Sequence, residues 1–240
     1  VEANIKSAFI NGLFICVGLT MLGLTIGSSA IRYKEYERSV SVKGLSEKDV
    51  PADTAIWPIQ FTGADNDLEA LYAKLEKDAG KAVKLLKENG FEESEITVAP
   101  PAVTDKLASE YGGDSKAAMR YTANQVITVY SKKVDAVRST TKKLSMLGKD
   151  GVAIKGPGYD DANKTEFIFS GLNNIKPQMI EEATQKAREV ADKFANDSHS
   201  KLGKIKSANQ GQFTITDRDK STPYIKTVRV VSTVEYYLSD

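Results

Sequence analysis

The sequence predicts an α+β protein of βαβ-type repeats with mixed sheets, preceded by one N-terminal transmembrane helix. Three observations carry that reading. Ala8 to Ile31 hold no charged residue, residues 53–63 alternate in polarity, and residues 68–86 place leucine and alanine at three- and four-residue steps. The last two patterns recur further along the chain. With 41% hydrophobic and 27% charged residues, the 240-residue composition is that of a folded protein with a sizeable core. The formal net charge of +1 argues against bulk nucleic-acid binding and polybasic adsorption to membranes. A single cysteine excludes an intramolecular disulfide and a Cys-rich zinc site, and a single histidine leaves little material for imidazole chemistry.

The uncharged run of residues 8–31 makes a helix of about 36 Å, enough to cross a hydrocarbon core of about 30 Å with some tilt. Phe9, Leu13, Phe14, Leu19, Leu22, Leu24 and Ile26 would face lipid. A retained anchor is the preferred reading. A cleaved signal peptide is the alternative, because Ser28-Ser29-Ala30 offers a small-residue cleavage site, but the apolar region exceeds the usual signal length. Lys6 precedes the run, while Arg32, Lys34 and Arg38 follow it among Glu35 and Glu37. Counted alone, those charges put the C-terminal side in the cytoplasm, although a long trailing domain can be exported regardless. Cys16, inside the run, reads as a small hydrophobe. Gly23 and Gly27 form the one pair at the spacing that permits close helix–helix approach.

After a polar stem, Val40 and Val42 open a strand, and Gly44 to Pro51 reads as a connecting turn. In 53–63, Ala55, Trp57, Ile59 and Phe61 share one face, and Pro58, which cannot donate to a ladder, places the strand at an edge or a bulge. Asn66 with Glu69 resembles a capping pair for a helix that runs to Gly90. Ile96 and Val98 mark a strand stopped by Pro100-Pro101, and 103–119 is a polar insertion, a loop or an extended hairpin tip. A strand at 121–130, a helix from Val134 to Gly148 and a strand at 152–154 repeat the grammar. The order from 53 to 155 is that of a ferredoxin-like split unit. A third round has a strand at 167–169 and a helix opened by Pro177, with Ile180, Ala183, Ala187, Val190 and Phe194 buried. Strands at 204–215 and 225–238 close the chain, the last with Val228, Val230, Val234, Tyr236 and Leu238 on one face and Arg229, Glu235 and Tyr237 on the other. The division expected is an anchor and stem over 1–38 and a domain over 39–240, in lobes of about 39–161 and 162–240.

No dinucleotide, P-loop, zinc-protease or nucleophile-elbow motif occurs. His199 in Asn-Asp-Ser-His-Ser-Lys reads as a helix-end residue. Gly156-Pro157-Gly158-Tyr159-Asp160-Asp161 lacks calcium-loop spacing and reads as a turn. Asp217 and Asp219 flank Arg218 in what reads as a solvated hairpin connection. No catalytic, metal or cofactor residue is expected, and the chain is not expected to be an enzyme.

Val40-Ser41-Val42-Lys43-Gly44, followed by Val50-Pro51-Ala52-Asp53-Thr54-Ala55, resembles the opening of the SIMPL-domain family. The likeness continues through Phe169-Ser170-Gly171-Leu172-Asn173, the helix of 183–194, Lys201-Leu202-Gly203-Lys204-Ile205 and Thr227 to Tyr236. It implies a bacterial envelope protein of the periplasmic kind, linked to oxidative-stress defence or to a periplasmic immunogenic antigen, whose relatives include ring-like homo-oligomers. It implies no catalytic residues. It also overrides the flanking charges and puts the C-terminal domain in the periplasm, behind an inner-membrane anchor. The expected partners are the membrane and the chain itself, with an unidentified client protein as a further candidate and no nucleic acid. Gly23, Gly27, Pro58, Tyr111, Glu235 and Tyr237 are the candidate oligomer contacts. A structural or scaffold role leads. A periplasmic module that binds a small ligand or a client through 103–119 and exposed aromatics is the alternative.

Overall fold

A computed structural model of the chain describes residues 2–36, 38–108, 118–156 and 164–239. Its elements are α1 (Glu2–Tyr36), β1 (Ser39–Pro51), β2 (Thr54–Asp65), α2 (Leu68–Glu88), β3 (Ile96–Val98), β4 (Ala102–Asp105) and β5 (Tyr121–Ser131). These are followed by α3 (Val134–Thr141), α4 (Leu144–Lys149), β6 (Ala153–Lys155), β7 (Glu166–Ile168), α5 (Leu172–Asp197), β8 (Lys201–Gln210), β9 (Thr214–Asp217) and β10 (Ile225–Ser239). The fold class is α+β, with two sheets that are antiparallel rather than mixed. The chain divides into two compact units, one of residues 1–47, 175–214 and 229–240, the other of 48–174 and 215–228. Each unit is discontinuous in sequence.

The 48–174 unit contains the split arrangement. Its sheet order is β3-β5-β2-β6, with β4 also on β5 and β7 also on β2. The two strands joined through α2 are separated by β5, and the two joined through α3 and α4 are separated by β2, which is the split βαβ relation. Ala55, Trp57, Ile59 and Phe61 are buried against Leu71, Leu75, Ala82 and Leu86 of α2, as their periods require. The α2 cap is Asp67, not Asn66; its carboxylate accepts from the N–H of Glu69 at 2.8 Å and of Ala70 at 3.3 Å. Asn66 instead accepts from the Arg120 N–H at 2.9 Å. Gly90 ends the helix at φ +87, a conformation that glycine adopts without steric cost.

β2 is not an edge strand. β5 pairs along its whole length, and β6 and β7 share its other side. Those two registers cover 60–62 and 54–56, so Pro58 pairs with Thr128 of β5 and falls between them. The sequence could not show this, because β6 and β7 are three-residue strands separated by the Gly-Pro-Gly segment. The 103–119 insertion begins as β4, whose pairing with β5 is closed by Arg120 on Asp105 at 2.8 Å. The helix expected from 134 to 148 is two helices. The Thr141 hydroxyl bonds back to the Val137 carbonyl at 2.8 Å, a competitor of the helical ladder, and the break follows at Lys142.

β1 runs unbroken from Ser39 to Pro51, through the segment read as a turn. Gly44 is there for closeness rather than for turning. A Cβ at Gly44 would lie 1.8 Å from the Ala183 carbonyl oxygen and 2.5 Å from the Ala187 nitrogen, so α5 rests its backbone on the strand. The buried stripe of α5 is accordingly Met179, Ala183, Ala187, Ala191 and Ala195, one small residue per turn after the methionine. Val190 and Phe194, expected inside, are exposed, Phe194 by 55%. Larger side chains on the buried stripe would push the helix off Gly44. α5 also starts at Leu172, five residues before Pro177, whose missing N–H affects only the Asn173 carbonyl in the opening turns. Val42, Ala187, Ala191, Val234 and Tyr236 form the small core, flanked by Val40 and Leu202.

Candidate membrane anchor and assembly surface

α1 carries no charged residue from Ala8 to Ile31. Within it, Gly12–Ser29 has a mean hydropathy of 1.7 and none of it is buried. Leu13, Phe14, Leu19, Leu22, Leu24 and Ile26 are all exposed, and Phe9 lies in the same helix with its side chain outside the described residues. The few polar groups are turned inward on the backbone: Thr20 Oγ1 donates to the Cys16 carbonyl at 2.7 Å and Thr25 Oγ1 to the Leu22 carbonyl at 2.9 Å. That arrangement suits a medium without hydrogen-bonding partners. Gly23 and Gly27 lie on open helix surface, with no atom within 4 Å of a built Cβ. One helix of the described residues is thus long and apolar enough to cross a membrane.

The candidate contacts on β10 differ from each other. Glu235 accepts from Ser39 Oγ at 2.5 Å, Lys206 Nζ at 3.1 Å and Ser207 Oγ at 3.1 Å. The hydrogen bonds of Ser39 and Lys206 hold its carboxyl below the ordinary carboxylate range, so this charge ties β1, β10 and β8 together. Tyr237 is 40% exposed, with Lys206 Nζ 5.8 Å from its ring centre. Pro58 is half-buried on the sheet of the other unit, and Tyr111 lies outside the described residues.

Asp53, inside the Pro-x-Asp-x-Ala stretch, organises the turn at 169–171. Its carboxylate accepts from the Ser170 N–H at 2.7 Å, Ser170 Oγ at 3.0 Å, the Gly171 N–H at 3.1 Å and Thr54 Oγ1 at 2.9 Å. Partial burial opposes the charge, but these donors outweigh it and hold the carboxyl below its usual range. Two segments read separately in the sequence therefore form one structural device. Neither local motif carries a signal that the two meet.

Beside β7 lies an open cleft of about 540 Å³. Phe167 and Tyr224 meet edge to face with centroids 6.1 Å apart, and the Arg138 guanidinium lies 3.5 Å over the Tyr224 ring while pairing with Asp135 at 2.9 Å. Thr141, Lys142, Thr165 and Pro223 complete the walls. Local sequence gives no sign of this cleft, since its aromatics come from distant segments. His199 is exposed, at φ 53 just after α5, in the left-handed conformation of a helix end. Asp217 pairs with Lys226, and Asp219 caps Ser221 and Thr222 through N–H contacts of 2.8 Å, with its pKa lowered to about 2 chiefly by the Thr222 hydroxyl. The two carboxylates are thus engaged separately. The Gly156–Asp161 stretch lies outside the described residues beyond Gly156.

The SIMPL family model, described as a protein of unknown function, matches residues 40–236. The chain belongs to the SIMPL family. Comparison with curated proteins gives no match. The matched region covers β1 to β10, including Gly44, Asp53 and the Ser170-Gly171 turn, and α1 precedes it.

Proposed function

We propose that this SIMPL protein is an inner-membrane-anchored bacterial envelope protein whose domain lies in the periplasm and self-assembles, with a structural or scaffold role in envelope or oxidative stress defence. The observation that carries the anchor is α1, whose exposed apolar circumference has no partner among the described residues and which water would solvate at high cost. Self-assembly accords with the exposed sheet surfaces, and symmetric association of identical chains is the commonest form that soluble oligomers take. A reporter that works only in the cytoplasm, fused after Asp240, is expected to be inactive, and one that works only in the periplasm to be active. The reverse pattern would overturn the orientation.

The cleft of Phe167, Tyr224 and Arg138 favours a second reading, a module that binds a client or small ligand through an aromatic and a cation. Its walls show no cluster of three metal-ligating side chains among the described residues, and the reading invokes no catalysis.

A further inference from the structure

The β2–β5 sheet has one face packed on helices and one face open. Register fixes the members of the open face: Ile56 beside Tyr130, Pro58 beside Thr128, Gln60 beside Val126, Thr62 beside Asn124 and Ala64 beside Thr122. Outer strands extend the rows with Thr97, Ala102, Thr104, Ala153, Lys155 and Glu166. All are half-buried or exposed, Tyr130 by 56%. The ten positions on β2 and β5 carry no charge, in a chain with 27% charged residues. A solvated sheet face is polar, whereas this one sets Ile56, Pro58, Ala64, Val126 and Tyr130 among its threonine, asparagine and glutamine side chains, a mixture suited to being covered.

The charges at its margin are ordered. Lys155 lies in the row of Gln60 and Glu166 in the row of Ile56, both on the β6/β7 side, one row to either side of Pro58–Thr128. We propose that a second copy of the chain docks on this face, sheet on sheet, about a twofold axis along the row of Pro58, Thr128 and Thr97. This rests on the reading that the protein self-assembles and assigns the surface. Such an axis keeps each strand over its own counterpart and reverses the rows. Lys155 then meets Glu166 of the second copy, and Ile56 and Tyr130 meet the row of Gln60 and Val126. Thr128 meets Thr128. The uncharged threonine, asparagine and glutamine side chains both donate and accept, so the face is compatible with itself, and the marginal charges are complementary only under this operation.

Strand spacing and row repeat give about 33 Å² per position, hence about 500 Å² per copy and about 1,000 Å² in all, the lower limit of a specific interface. An interface of that size is compatible with association in the micromolar range, and anchoring of every copy in one membrane strengthens it further by raising the effective concentration.

The test uses the full chain in mild detergent, with mass by sedimentation and fold by circular dichroism. Thr128→Lys and Thr128→Glu are each expected to weaken self-association at least tenfold, because like charges then face each other on the axis. An equimolar mixture of the two is expected to recover it. If wild type associates and both variants associate equally well, this face is not the interface, while self-assembly stands. If wild type is a monomer throughout, both readings fail. If the variants weaken and the mixture stays apart, or if the substitutions release a different copurifying protein from a monomeric chain, the twofold pairing is wrong. Should either charge disturb folding, Thr128→Cys in a Cys16→Ala background answers the same question. A bis-maleimide that spans about 10 Å, the separation of sheets packed face to face, is expected to link copies through position 128, and failure to link an associated sample would overturn the axis.

Discussion

Gly44→Ala is expected to lower stability by about 3 kcal/mol, near the upper end for overpacking. The added methyl would fall 1.8 Å from the Ala183 oxygen and 2.5 Å from the Ala187 nitrogen. Both are backbone atoms of a 26-residue helix, so no side chain can rotate out of the way. The helix must lift, and the row of Ala183, Ala187 and Ala191 then loses its contact with the sheet. Amide hydrogen exchange in α5 and the denaturant midpoint of the full chain in detergent report this. Gly80→Ala is the control: it lies in α2, with nothing within 4 Å of its Cβ, and the substitution is expected to stabilise by about 0.5–1 kcal/mol. A Gly44→Ala protein with wild-type exchange in α5 would contradict the close approach.

Asp53→Ala is expected to cost about 1–2 kcal/mol, because it removes the acceptor of two backbone N–H groups and a hydroxyl at the 169–171 turn. Asp53→Asn tests the charge separately. The folded state holds this carboxyl below its ordinary value of 3.8, so the unfolded chain takes up the proton first as pH falls. The stabilisation is therefore fully present above about pH 4 and is lost as pH drops through the lowered value. The Asn variant should be less stable than wild type at neutral pH, with the difference shrinking in that acidic window. A difference independent of pH would mean that the charge plays no part.

Much of this fold was legible because periodicity reports burial. Leu71, Leu75, Ala82 and Leu86 face the core as their spacing requires, and β10 buries Val228, Val230, Val234 and Tyr236 on the expected face. The failures have separate physical causes. Glycine reads as a turn residue, and only a neighbouring helix backbone shows that Gly44 sits inside a strand. The α5 stripe shifted because alanine gives a weak hydrophobic signal, although it is the residue that lets a helix approach a sheet. Pro58 suggested an edge because local sequence cannot reveal that β6 and β7 flank it in turn. Of the candidate contacts, the exposed Tyr237 and the helix glycines were readable from pattern. The engagement of Glu235 by Ser39, Lys206 and Ser207, and the meeting of Asp53 with Ser170, depend on contacts between segments more than 100 residues apart in two of the four pairs.

The anchored chain is proposed to assemble with itself. Native mass determination of the full chain in mild detergent, with every copurifying species identified, tests it most directly. The expected result is a defined homomer with no passenger, persisting on dilution through the micromolar range. A monodisperse monomer, or a monomer carrying a stoichiometric foreign protein or ligand, would contradict it.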